Sequence, residues 1–363
     1  MSKPLRHGAV ACVALYAATA GAQTHVQIYG RLNVSAEHVK ASATAAGPRL
    51  SQARISNNRS VLGFRGSEDL GDGLKLVFQI EASVSPDTGA GEIARRDTRI
   101  GLDGNFGTLF VGNWVTAYNG ATSGLDPFYP TTAGYMGIMA NGAGPAVDNV
   151  SNTSSFDRRQ ANSVHYWSKP WKGLGLRISH GVNEERPANG ARPNLTSAAA
   201  IYEHGAWYAT LAHERHHDYQ GPGRNDSGTK FGLAYQFGAT RVAAVAERLK
   251  YETGLGDLER DACYVSVSHQ MGSHGLRAGV ARADDGKGAA ANRVGFVRGG
   301  PQTGAIHATL GYDYTLSKRT MVYAYHTHLD NEANAAYDFA INSLGPGAGS
   351  TLKGTAFGLR HSF

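Results

Sequence analysis

Cysteine is nearly absent from this chain: of 363 residues two are Cys, at positions 12 and 263. Cys12 falls in an N-terminal apolar segment with no lipobox around it, so the expected mature chain keeps Cys263 alone. One thiol makes no internal disulfide, and the fold must be held by other means. Long hydrophobic runs are missing as well. Past the N-terminal segment nothing approaches the roughly 18 consecutive apolar residues of a spanning helix. Mean hydropathy is -0.32, which excludes a helical membrane protein. It does not exclude a barrel, because half of each barrel strand faces water and averages the signal away. Charge is close to balanced, with a formal net charge of +6 that falls further if Lys3 and Arg6 are removed. No helical basic stripe accompanies it, so no nucleic-acid partner is expected. A G-x-S-x-G elbow and an H-E-x-x-H helix are also lacking, which argues against a lipase or protease and leaves no catalytic residue to name.

What is present points to an exported β protein. Lys3 and Arg6 precede an apolar run from Ala9 to Ala20, and Ala20-Gly21-Ala22 supplies small residues for cleavage. Residues 1–22 therefore read as a signal peptide cut after Ala22, and residues 23–363 as one domain. Hydrophobic residues make up 41% and aromatics 9%, too many for a disordered chain, and Gly is abundant at 47 residues.

Period 2 dominates. From His25 to Ala36, Val26, Ile28, Gly30, Leu32 and Val34 share one face, and Gln27, Tyr29, Arg31, Asn33 and Ser35 the other. Leu74, Leu76, Phe78 and Ile80 oppose Lys75, Val77, Gln79 and Glu81; Leu174, Leu176 and Ile178 oppose Gly175, Arg177 and Ser179. Short turns, such as 68–73, 103–107, 237–240 and 317–320, alternate with long polar links. The long links run roughly over 40–52, 86–93, 116–160, 183–197, 220–228, 253–258, 284–302 and 331–350. Counting strands between them gives sixteen, or about 21 residues per strand and connection, which suits spanning strands of about 9–11 residues. The expected fold is all-β: a sixteen-stranded antiparallel transmembrane β-barrel with a long third loop. The last segment alternates Phe357, Leu359, His361 and Phe363, an aggregation-prone edge in a soluble protein but a closing strand in a barrel. Tyr312, Tyr314, Tyr323 and Tyr325 read as interfacial girdle residues.

Several strings resemble the trimeric porins of Gram-negative bacteria, of the β-proteobacterial type. Residues 57–75 (NNRSVLGFRGSEDLGDGLK) are similar to their second hairpin, and Val26-Gln27-Ile28-Tyr29-Gly30 to their first strand. Residues 162–166, residues 314–320 and the terminal GLRHSF match three more recurring segments, so the resemblance spans the mature chain. It implies an outer-membrane location, three barrels per assembly and a water-filled pore in each. It further implies contact with outer-membrane lipid and lipopolysaccharide, and assembly by the barrel-assembly machinery through the strand ending in Phe363. The third loop, Thr116 to about Gln160, whose Asp126-Pro127-Phe128 resembles the start of the family's constriction loop, is expected to fold inward and narrow the pore. Asn33, Val61 and Gly112-Asn113-Trp114 depart from residues common in the family, which bears on the pore lining rather than on the fold.

A diffusion pore needs fixed charges at a narrow place, not catalytic chemistry. Arg31, Arg54, Arg59, Arg65, Arg96, Arg99 and Arg159 are the candidates for a basic wall. Arg95 shares parity with Arg99, and Arg96 turns inward only if the strand bulges. Asp126, Asp148 and Asp157 are the acidic candidates on or beside the loop. Bases outnumber acids, so passive diffusion of small hydrophilic solutes with a preference for anions is expected. An arginine there can equally bind lipopolysaccharide phosphate at the rim or brace the wall. A glycine-rich loop carrying Tyr129, Tyr135 and Met139 leaves a substrate-specific porin for small anions open beside the general one. His213, His216 and His217, like His326 and His328, lack the Cys or carboxylate that would complete a metal site, so no metal or cofactor is expected. A secreted adhesin remains the other class, and it predicts a mature protein soluble without detergent.

Overall fold

The structure is a computed structural model that describes residues 25–363; the signal peptide, the cut after Ala22 and Cys12 lie outside the described residues. The alternating segments all become strands. They are β1 His25–Ala41, β2 in two pieces (Leu50–Asn57 and Val61–Gly71), β3 Leu74–Ser85, β4 Thr98–Gly104, β5 Gly107–Val115, β6 Asp157–Trp167, β7 Leu174–Gly181 and β8 Asn194–His204. The second half continues with β9 Trp207–His217, β10 Asn225–Phe237, β11 Thr240–Thr253, β12 Gly256–Met271, β13 His274–Ala283, β14 Ala305–Thr315, β15 Thr320–Asn331 and β16 Thr351–Ser362. Each pairs antiparallel with the next, and β16 returns to β1 from Arg31↔Ser362 to Ala41↔Leu352, closing a 16-stranded barrel. The seam is completed by Phe363, whose N–H and C=O exchange hydrogen bonds of 3.0 and 2.9 Å with Gly30. Closure matters because an unpaired backbone group in lipid costs several kcal/mol, of the order of a whole stabilising interaction.

The barrel is inverted relative to a soluble sandwich. Val26 and Ile28 are 54% and 61% exposed on the outer face, whereas Asn33, Ser35 and Glu37 on the inner face are at most 4% exposed. Gly30 is required where it stands: its position lies under the Phe363 ring, and any Cβ there would collide with it. Gly63 lies under Tyr29 in the same manner.

Two expectations are corrected. The link over 253–258 is a tight turn at Gly254-Leu255, with Thr253 paired to Gly256, because β11 and β12 continue beyond the apolar band. There the outer face turns polar, with Lys250, Glu252, Asp257 and Glu259, and the sequence reads as loop although Leu249, Tyr251 and Leu258 stay buried inside. Tyr323 and Tyr325 face inward and are 6% and 3% exposed, while Tyr312 and Tyr314 face outward; the tight turn between β14 and β15 sets opposite parities.

Residues 116–156, the third loop, supply the apolar core that the lumen lacks. It opens with the short helix α1, Ala117–Thr122, capped by the Thr116 hydroxyl. Tyr118, Phe128, Tyr135, Met136, Ile138 and Met139 are buried against the wall. The loop hydrogen-bonds inward-facing side chains around the barrel, from Asn33 on β1, which donates to the Pro130 carbonyl, to Tyr264 on β12, which donates to Asp126.

Candidate functional site

A charged region forms where the third loop meets β1 to β6, and its geometry begins with a break in a strand. Between the two pieces of β2, Asn57 accepts the Ser60 N–H at 3.0 Å and donates to the Val84 carbonyl at 2.9 Å. Ser60 Oγ accepts the Asn33 N–H at 2.9 Å. Side chains thus replace ladder bonds, the mark of a bulge. Arg59 at the break takes φ 57°, and its guanidinium reaches the Tyr129 hydroxyl of the third loop at 3.0 Å. Such a φ in a non-glycine residue costs about 1–3 kcal/mol, tolerated where the surroundings hold it. Arg31 donates to the Arg59 carbonyl at 2.9 Å, which keeps both residues on one side of the pore.

Three further arginines are each paired, Arg96 and Arg159 in the same wall and Arg54 nearer the mouth with the long loops. Arg54 meets Glu37 at 3.1 Å, Arg96 meets Glu81 at 2.9 Å and Arg159 meets Asp97 at 2.7 Å. Arg96 lies in the irregular stretch before β4 and turns inward, while Arg95 stays outside with Glu92. Glu37, Glu81 and Asp97 were not foreseen as site residues. Arg31 and Arg59 have no carboxylate within ion-pair distance among the described residues, nor has Arg360 on β16, the register partner of Asn33. Arg360 was also not anticipated; it shares the inward parity of Ala356 and Gly358, the one signal that pointed to it. Burial alone would raise the Tyr129 phenol, but the charges of Arg59, Arg96 and Arg159 outweigh it and hold the phenol below its ordinary value. The wall facing the loop therefore carries a positive excess centred on Arg31 and Arg59.

The other candidates lie elsewhere. Arg65 bonds Gln27 at 3.0 Å and covers the Tyr29 ring, toward the end of the barrel where the short turns lie. Arg54 sits toward the opposite mouth and donates to the Asn342 carbonyl at 2.6 Å. Arg99 is enclosed by Phe110, Trp114 and Trp167, rings contributed by neighbouring strands. None of the three aspartates bonds to the arginines around Tyr129. Asp148 caps a turn through the Val150 and Ser151 N–H groups. Asp157 is buried in a 2.6 Å pair with Lys230. Asp126 pins the loop, accepting from Phe128 N and Tyr264 Oη at 2.9 Å and from Tyr135 N at 2.9 Å. The histidines diverge: His213 faces outward, while His216 is buried against Glu214 at 2.8 Å.

Burial pushes Asp126 up to about 6 despite its three donors. Its ordinary value is about 4, so folding takes up a proton between about pH 4 and pH 6. The Asp126 contribution to stability is thus fully present below that window and is lost as pH rises through it, by about 3 kcal/mol. Thermal unfolding of Asp126→Asn beside the parent from pH 4 to 8 should show the parent losing its advantage on the way up. Parallel curves would contradict the assignment.

Comparison with known proteins agrees with this architecture. The sequence model of the Gram-negative porin family matches residues 9–334. Outer membrane porin protein 32 of Delftia acidovorans is 25% identical, over 94% of this chain and 95% of that protein. Among solved structures, an anion-selective porin from Comamonas acidovorans superposes with a TM-score of 0.78 at 22% identity, covering 94% of this chain and 100% of that one. The trimer form of an outer-membrane protein of Vibrio cholerae gives 0.67 at 15% identity, covering 94% and 99%. A closed barrel with a polar lumen, matched by a family model over most of its length, has one reading: this chain belongs to the Gram-negative porins, channel proteins of the outer membrane rather than enzymes.

Proposed function

We propose that this porin is a diffusion channel for small hydrophilic solutes that prefers anions, and that Arg31 and Arg59 set the preference. The observation that carries this reading is the mismatch of charge around Tyr129. Arg54, Arg96 and Arg159 are matched by Glu37, Glu81 and Asp97, whereas Arg31 and Arg59 are not matched. In a narrow wet passage with low-dielectric walls an unmatched charge acts on a passing ion with little screening. The Comamonas neighbour is an anion-selective porin, which supports the same sign. We further infer export through cleavage after Ala22, leaving residues 23–363 as the mature barrel, and assembly as a homotrimer in lipopolysaccharide-containing membrane. Delivery to the assembly machinery then runs through the strand ending in Phe363. Liposome swelling tests the permeation reading. Gluconate should enter faster than a cation of similar size such as N-methylglucamine, and equal or reversed rates would contradict it.

A further inference from the structure

A second cationic patch lies on the inner wall toward the short-turn end, away from Tyr129. Arg99 on β4 has its guanidinium carbon 4.7, 4.5 and 5.0 Å from the ring centres of Phe110, Trp114 and Trp167. Arg177 on β7 stands 4.9 Å from the same Trp167 ring. The rings brace one another: Phe110 meets Trp167 edge to face at 5.0 Å, and His165 stacks on Phe110 at 4.8 Å. Neither guanidinium makes an ion pair or a side-chain hydrogen bond among the described residues. Stacking occupies the faces of a guanidinium and leaves its N–H groups, which lie in the plane, uncommitted. Nε and Nη1 of Arg99 are shut in without a partner, so Nη2 is its open end. Arg177 lies against α1, its Nη1 3.5 Å from where a Cβ on Gly120 would stand.

Beside Arg177 opens a cavity of about 440 Å³ whose lining includes Trp167, Lys169, Thr108, Asp103 and Glu203. Asp103 is held by Lys169 at 3.3 Å and accepts the Thr108 hydroxyl at 2.6 Å, which leaves Glu203 as the acid at the rim. Among the lining residues Arg177 and Lys169 balance Asp103 and Glu203, and Arg99, which stands against Trp167 outside the lining, adds one positive charge nearby.

We propose that this cavity is a binding subsite for planar aromatic monocarboxylates of about benzoate size. The carboxylate takes the in-plane N–H pair of Arg177, and the ring lies on the Trp167 side of the cavity, where aromatic edges and faces are complementary. Glu203 disfavours a second carboxylate on the same solute. An aliphatic acid of equal size meets the charge but gains nothing from the ring. The proposal rests on the channel reading and adds a solute class to it.

The test uses the full-length mature protein, purified in detergent and inserted in planar bilayers, with KCl current interrupted by benzoate or by cyclohexanecarboxylate. The expected result is half-block by benzoate at a concentration about five- to tenfold lower than by cyclohexanecarboxylate. In Arg177→Gln and in Trp167→Leu that ratio should fall toward one. Arg177→Lys, which keeps the charge but not the planar fork, should fall between. Because the ratio is taken within each variant, changes in KCl current cancel. Equal block by the two acids in the parent, or an undiminished ratio in both Arg177→Gln and Trp167→Leu, would overturn the subsite. A parent protein giving no KCl steps would overturn the channel reading, and the subsite with it.

Discussion

Replacing Arg31 and Arg59 together by Gln is expected to abolish most of the chloride preference while leaving a folded, conducting barrel. Both guanidiniums lie in the wall facing Tyr129 without a carboxylate partner, so their removal takes away the positive excess and strands no buried acid. Each charge is worth about 1 to 2 kcal/mol to a passing ion in a wet throat. Losing one should therefore lower chloride entry about five- to thirtyfold at low salt, and less as salt screens it. The paired arginines should behave otherwise. Arg159→Gln leaves Asp97, its partner at 2.7 Å, without a counter-charge, and Arg96→Gln does the same to Glu81. These variants are expected to lose stability before they reveal a selectivity effect, since leaving a partly buried carboxylate without its counter-charge costs about 1–3 kcal/mol. If Arg31→Gln, Arg59→Gln leaves the zero-current potential unchanged, the excess charge lies elsewhere, with Arg360 the next residue to examine.

The second large effect is expected at Glu247, which no reading of the sequence singled out. Its carboxylate, wholly enclosed on β11, accepts from Tyr118 Oη at 2.9 Å, from Ala140 N at 2.8 Å and from Arg260 at 2.5 Å, with Lys230 at 3.5 Å. Tyr118 and Ala140 belong to the outgoing and returning parts of the third loop, so one side chain ties both to the wall. Glu247→Ala frees both tethers and leaves Arg260 short of charge in a site without water access. A loss of about 3–5 kcal/mol is expected in denaturant titration of the refolded barrel. Single-channel records should become noisy with larger open levels as the loop moves off the wall. Quiet records at the parental conductance would show that the apolar residues Phe128, Ile138 and Met139 hold the loop unaided.

The barrel was legible in the sequence because one physical rule governs every strand: the lipid face must be apolar at alternate positions. Leu74, Leu76, Phe78 and Ile80 show it as plainly as Val26 and Ile28. The rule fails where strands leave the membrane, which is why Lys250, Glu252, Asp257 and Glu259 at the top of β11 and β12 read as a loop. The charged residues around Tyr129 were legible only in part. Parity placed Arg31 correctly, and the NNRS string marked Arg59. Whether an arginine is neutralised depends on partners across strands, and pairs such as Glu37 with Arg54 and Glu81 with Arg96 appear only when strands are in register. What the aspartates bond to was illegible for a related reason. A carboxylate in a long loop anchors as readily as it lines, and the tyrosine that holds Asp126 in place, Tyr264, lies 138 residues away. Arg99 has wall parity like the others, but the rings that enclose it come from β5 and β6.

The most direct test of the account is the zero-current potential of the purified mature protein in a planar bilayer under a KCl gradient, at low and then at high salt. A potential of the sign set by chloride permeation is expected, shrinking as salt screens Arg31 and Arg59. A potential of the cation sign would keep the barrel but rule out an arginine-set anion preference, moving control of the throat to Glu37, Glu81 and Asp97.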